Sequence, residues 1–125
     1  MQLVLAAAAG GALGAGARYL VNVGLLQLLG PSFPWATLTV NVLGSFLMGA
    51  IVEASSSLLG GSAVLRTFLA TGILGGFTTF SAFSLDAFEL FERRQPVLAA
   101  LYVVGSVAIS IAALVGGVAA VRSLR

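Results

Sequence analysis

Long apolar runs separated by short polar interruptions make up the whole chain. Leu3 to about Leu29, Trp35 to about Glu53, Ala63 to about Phe91 and Pro96 to about Val121 are each apolar enough for a bilayer helix, which takes about 20 residues. The second run is the shortest and, at about 1.5 Å per residue, still reaches roughly 28 Å. LGPSFP, Leu29 to Pro34, reads as a turn by its glycine and two prolines, and Trp35 behind it suits the membrane interface. SSSLLGGS, Ser55 to Ser62, reads as the second loop and Glu92 to Gln95 as the third. Pro96 opens the fourth helix in its first turn, where a missing N–H costs nothing. The pattern predicts an all-α membrane protein: one transmembrane domain over residues 1–125, with four spans at about 3–29, 35–53, 63–91 and 96–121.

The third run differs from the others. GILGGFTTFSAFS, Gly72 to Ser84, places three glycines and a cluster of hydroxyls in the middle of a span, and the flanking Arg66 and Arg93 put Thr79 close to the midplane. Non-helical backbone at that depth survives only where it is buried in protein or lines a wet cavity. Ion and substrate sites in transporters are built on such discontinuous helices. The stretch therefore predicts a broken helix at an ion site.

The other polar residues fall on helix faces. Thr37, Asn41, Ser45 and Gly49 recur every four residues along the second run, and Tyr102, Ser106 and Ser110 do the same along the fourth. A single membrane serine is as well explained by a bond to its own backbone as by a pathway; the ladder as a set points to a pathway. Phe80 and Phe83 share a face if helix resumes after the break, with Phe77 before them and Thr78, Thr79, Ser81 and Ser84 around them. Ring edges are positive, so paired edges suit a partly dehydrated small anion. Carbonyls freed by a kink at the glycines suit a monovalent cation. Both readings stay open on the residues alone. Arg18 lies well inside the first span, where a cation is expensive. It either draws anions into a vestibule, or snorkels or pairs with Glu53 or Asp86. Asp86, Glu89 and Glu92 read as a solvated face. Gly10 and Gly14 form a close-packing GxxxG face. The small residues Ala15 to Ala17 resemble a signal-peptide end, but the positively charged start is missing and the apolar pattern resumes after Arg18, so one uncleaved helix is expected.

Composition narrows the class. Hydrophobic residues make up 59% and charged residues 8%, against roughly 25% charged in soluble chains. The net charge of +2 rests on six arginines and four acids, too few and scattered for a nucleic-acid surface. Without cysteine or histidine, disulfides, thiol nucleophiles, imidazole bases and the commonest zinc ligands are excluded together. A serine or threonine nucleophile would have no activator, so transport is favoured over enzymatic chemistry. Arg66, Arg122 and Arg125 fall on one side of the membrane and Arg93 and Arg94 on the other. So even a count lets a chain insert both ways, and an antiparallel dual-topology homodimer is expected.

Three stretches, GALGAGARY (Gly11 to Tyr19), ATLTVNVLGSFLMG (Ala36 to Gly49) and GILGGFTTFSAFS, together resemble the signatures of the CrcB/Fluc fluoride channels. The resemblance implies a four-helix channel, multi-pass in the cell inner (plasma) membrane. It would act as an antiparallel homodimer embedded in lipid, with fluoride as the conducted ion and passive export as the outcome. It makes Phe80 and Phe83 pore phenylalanines and Asn41 a pore amide. Tyr102, Ser106 and Ser110 become a polar track, with Thr79 and Ser81 beside it. It also implies a structural Na+ held at the dimer interface by the backbone carbonyls of Gly75 and Thr78. Ala82 departs from the threonine common in the family, and Asp86 stands where glutamate is expected. Two alternatives remain. A proton-coupled small multidrug exporter needs a deep carboxylate, which the first span lacks, Glu53 falling at the end of the second. A non-transporting helical subunit of a membrane complex would show no ion flux.

Overall fold

A computed structural model describes residues 1–125, the side chain of Ser56 excepted. Helix α1 covers Gln2–Leu29 and α2 Trp35–Ser57. The third span is composite: α3 (Ala63–Arg66), a π-helical stretch (Thr67–Leu74), α4 (Gly75–Phe77) and, after a break, α5 (Phe80–Glu92). Helix α6 runs over Pro96–Arg122. The four spans are each long and apolar enough to cross a membrane, and the third is bent.

Two expectations are corrected. Helix α2 continues past Glu53 through Ser55 and Ser57, which were expected to lie in the second loop. Their hydroxyls turn back onto the helix, Ser55 Oγ donating to the Val52 carbonyl at 2.8 Å and Ser57 Oγ to the Glu53 carbonyl at 3.4 Å. This is how serine is accommodated inside a helix. The chain leaves α2 only at Leu58 and reverses at Gly60 and Gly61, whose φ angles of 66° and 72° favour glycine. Ser62 then caps α3, its Oγ accepting from Leu65 N at 3.2 Å.

The second correction concerns the break. The stretch Gly72 to Ser84 does break as expected, but the kink expected at its glycines is absent: Gly72, Gly75 and Gly76 all remain helical, and the backbone extends at Thr78 and Thr79, with ψ of 159° and 121°. A glycine is free to break a helix but equally free to let another backbone approach, and here the second use prevails. A Cβ on Gly10 would lie 2.8 Å from Gly72 Cα, and one on Gly14 would lie 2.9 Å from Phe77 N. These glycines therefore seat α1 against the third span, in the small-residue packing expected of membrane helices. The threonines restart the helix themselves, since Thr79 Oγ1 accepts from Ala82 N at 3.1 Å as an N-cap.

Helices α2 and α6 form the other close pair. Gly49 sits against the Leu114 backbone, and a Cβ on Gly117 would lie 2.9 Å from Ala50 N. Glu53 receives Arg122 Nε at 3.0 Å and pairs with Arg125 as well, which joins the ends of the two helices. Across the layer, Phe83 and Leu90 of α5 meet Ala99 and Tyr102 of α6, with Phe33, Leu38, Ala87 and Leu98 packed around them. Large apolar side chains elsewhere face outward along all four spans, the surface a bilayer covers.

Candidate functional site

The break is held from two sides. Asn41 on α2 grips Thr79 reciprocally, Nδ2 donating to the Thr79 carbonyl at 3.0 Å and Oδ1 accepting from Thr79 N at 2.8 Å. This pairing orients the amide and leaves Asn41 one further N–H. From α1, Arg18 Nε donates to the Gly76 carbonyl at 3.0 Å. Arg18 therefore does not pair with either acid suggested for it. Glu53 is committed to Arg122 and Arg125, and Asp86 accepts the Tyr102 hydroxyl at 3.1 Å. Asp86 likewise leaves the solvated face expected for it with Glu89 and Glu92: it turns inward toward Tyr102, while Glu89 stays exposed beside Arg93 at 4.0 Å.

Beside the break lies an open groove of about 290 Å³, lined in part by Asn41, Ser45, Thr78, Thr79, Phe80, Phe83, Ser106 and Ser110. The sequence faces on α2, α5 and α6 converge there. Phe80 is 78% exposed and Phe83 only 8%, with their ring centroids 5.5 Å apart and the planes inclined by 54°. One ring thus stands at the opening and the other forms the wall. Ser106 is 5% exposed, and its Oγ has no hydrogen-bond partner among the described residues. A buried hydroxyl in that state is costly to keep.

Three candidates sit elsewhere. Tyr102, 2% exposed, lies behind Phe83 with ring centroids 5.2 Å apart and is absent from the groove lining, so the α6 ladder divides between core and groove. Ser81 Oγ meets Thr79 Oγ1 at 3.3 Å on the exposed side. Gly75 is exposed, and a Cβ built on it would touch only the Ala70 carbonyl, at 3.7 Å. Thr37, expected on Asn41's face, opens instead into a separate cavity of about 200 Å³ with Asn22, Phe33, Trp35, Asp86 and Arg93.

Gly44, Met48, Val107 and Leu114 also line the groove and were not singled out from the sequence. Gly44 and Met48 lie three and seven positions beyond Asn41, spacing that itself marks one helix face. Gly44 gives room to the Thr78 methyl and the Phe77 ring. The Gly76 carbonyl, Arg18's partner, carried no sequence signal.

The broken third span, the amide beside it and the paired phenylalanines invite comparison with known proteins. Residues 5–118 match the family model described as "CrcB-like protein, Camphor Resistance (CrcB)". The chain belongs to the CrcB family. Among its CrcB relatives, one from Cereibacter sphaeroides is 58% identical over 119 residues, 95% of this chain and 94% of that one. A relative from Agrobacterium fabrum is 54% identical over 117 residues, 94% of each chain. A relative from Rhizobium meliloti is 50% identical over 124 residues, 99% of each. All three carry the name fluoride-specific ion channel. This CrcB-family chain is accordingly a multi-pass membrane protein and a channel rather than an enzyme.

Proposed function

We propose that the protein is a fluoride-selective channel of the bacterial plasma membrane. It lets fluoride leave the cell passively down its electrochemical gradient, relieving fluoride toxicity, and works as an antiparallel dual-topology homodimer. The groove carries this reading: it gathers hydroxyls, an amide and two phenylalanines, and no charged side chain lines it. The names of relatives at 50%, 54% and 58% identity supply the ion.

Fluoride holds its water tightly, so a narrow pathway must replace hydration as it removes it. The second N–H of Asn41 and the hydroxyls of Ser106 and Ser110 are donors in the groove, and the edges of Phe80 and Phe83 offer positive potential. All are neutral, and neutral sites admit an ion without trapping it, as conduction requires. The groove is open on one side, where Phe80 stands exposed. A second copy, inverted, would close it and make across two chains the inverted repeat that larger transporters carry within one. The near-even arginine count supports insertion in both directions.

The backbone at the break fits a sodium ion. Thr79 N, which would bond the Gly75 carbonyl in a continuing helix, is taken by Asn41, and Ala82 N, which would bond the Thr78 carbonyl, is taken by Thr79 Oγ1. The Gly75 and Thr78 carbonyls would therefore hold the ion, which when bound supplies a positive, oxygen-coordinated centre at the contact between copies. The exporter alternative loses ground, since Glu53 and Asp86, the acids nearest to serving it, are engaged with arginines and with Tyr102.

The test is fluoride release from liposomes holding the purified protein, followed by electrode with potassium and valinomycin present and repeated with chloride. Fast fluoride release without chloride release is expected, with slower flux from assembled Phe80→Ile and Phe83→Ile dimers. Silence from a folded dimer would overturn the reading.

A further inference from the structure

A helix end leaves its last carbonyls without amide donors, and inside a bilayer no water replaces them. The first half of the third span ends at Phe77, at mid-span. Its Leu74 carbonyl receives both N and Oγ1 of Thr78, each at 2.9 Å. The Gly76 carbonyl has lost its helical donor, because Phe80 opens the next helix. Arg18 Nε occupies it at 3.0 Å. Gly14, one turn before Arg18, is buried against Ile73 and Phe77, so the close approach of α1 brings the arginine within reach of this carbonyl. Positive charge at a helix C-terminus also opposes the negative end of its dipole.

We infer that Arg18 is a positioning residue of the break: from α1 it supplies the C-terminal cap that the first half of the third span cannot make for itself. By occupying Gly76 it keeps that carbonyl out of the site and leaves the Gly75 and Thr78 carbonyls free for a cation. The inference rests on reading those carbonyls as a sodium site. It assigns Arg18 a role on the backbone, where an anion-attracting role would need only its charge.

Two substitutions separate donor from charge. Arg18→Gln keeps an N–H donor at the chain position of Nε and removes the charge, whereas Arg18→Met removes both. The readouts are the sodium dependence of thermal unfolding in detergent, titrated against choline, and amide exchange over residues 78–81. Arg18→Gln is expected to hold the sodium midpoint within about twofold of wild type, and Arg18→Met to raise it about tenfold, the effect of losing one hydrogen bond to a charged group, with faster exchange at the break. A wild-type midpoint and wild-type exchange in Arg18→Met would overturn the inference, as would equal sodium midpoints and equal exchange in two assembled variants. If wild-type unfolding ignores sodium, the cation reading fails, and exchange at the break alone then decides the role of Arg18. If Gln assembles and Met does not, the cap is supported. If neither assembles, Arg18→Lys decides: it keeps the charge but carries its nitrogen one atom further along, so a wild-type sodium midpoint there would overturn the cap.

Discussion

Ser106 should be a residue whose removal strengthens the protein while weakening its function. Its hydroxyl is 5% exposed, lines the groove and has no hydrogen-bond partner among the described residues. Burying an unpaired hydroxyl costs about 1–3 kcal/mol by mutational measures. Ser106→Ala removes one oxygen and leaves a void smaller than a methyl group, so packing losses return only part of that. A net gain of about 1 kcal/mol in unfolding free energy is expected. In the proposed pathway the same change takes a donor from the line that replaces fluoride's water, and if the transition over that step loses about 1.4 kcal/mol, flux falls about tenfold. Denaturant unfolding of the purified protein, followed by circular dichroism, reads the first effect, and electrode-monitored efflux from liposomes reads the second. Loss of stability by 1 kcal/mol or more would mean that the hydroxyl is satisfied in the assembled protein, and the reasoning would be wrong. Undiminished flux would remove Ser106 from the pathway.

Asn41→Ala deletes both bonds to Thr79, at 3.0 and 2.8 Å, and orphans its amide; unfolding free energy should fall by about 2–4 kcal/mol, and unchanged stability with flux abolished would make Asn41 purely a pore donor. Arg94 sits at φ 59° just beyond α5, so Arg94→Gly should gain about 1 kcal/mol in denaturant unfolding, whereas a loss would mean that its side chain holds the loop. Gly117→Val pushes a side chain into the Ala50 backbone, where a Cβ already lies 2.9 Å from the amide nitrogen, and should cost about 1–3 kcal/mol. Gly105→Ala on the same helix, with nothing within 4 Å of the new Cβ, should leave size-exclusion behaviour unchanged and gain up to about 1 kcal/mol in unfolding free energy.

The four spans were legible because a bilayer imposes one length and one composition on each, and short polar breaks mark their ends. The groove was legible where spacing put donors on faces, as with Asn41 and Ser45 or Ser106 and Ser110. Tyr102 was not separable from its ladder by spacing. A four-residue repeat outruns the 3.6-residue turn by about 40° at each step, and over two steps that drift carries Tyr102 from the groove into the core against Phe83. The exact place of the break was hidden because glycine serves flexibility and close approach equally, and only the fit of α1 against Gly72 and Gly76 decides between them. The partners of Asn41 and Arg18 are backbone groups 38 and 58 residues away. Every residue has such groups, so no side-chain pattern names them. Ser55 and Ser57 read as loop by composition and were drawn into α2 by bonds to their own backbone.

The break keeps charge apart from the groove. Interrupting a helix at the midplane releases carbonyls and amides that lipid cannot satisfy, and each needs a partner from within the protein. Arg18 meets this need on the α1 side, where it lines a small cavity with Asn22, Thr37 and Thr79, apart from the groove. On the groove side a neutral amide does the same work through Thr79. The other arginines stand at the ends of the spans: Arg122 and Arg125 on Glu53, Arg93 beside Glu89, with Arg66 and Arg94 at helix termini. Had the amide and the guanidinium exchanged places, the break would be equally well satisfied, but a fixed positive charge would face a small, strongly hydrated anion and hold it. The arrangement observed holds the break from both sides and keeps the groove neutral, which for the proposed pathway is the condition for an ion to leave as readily as it enters.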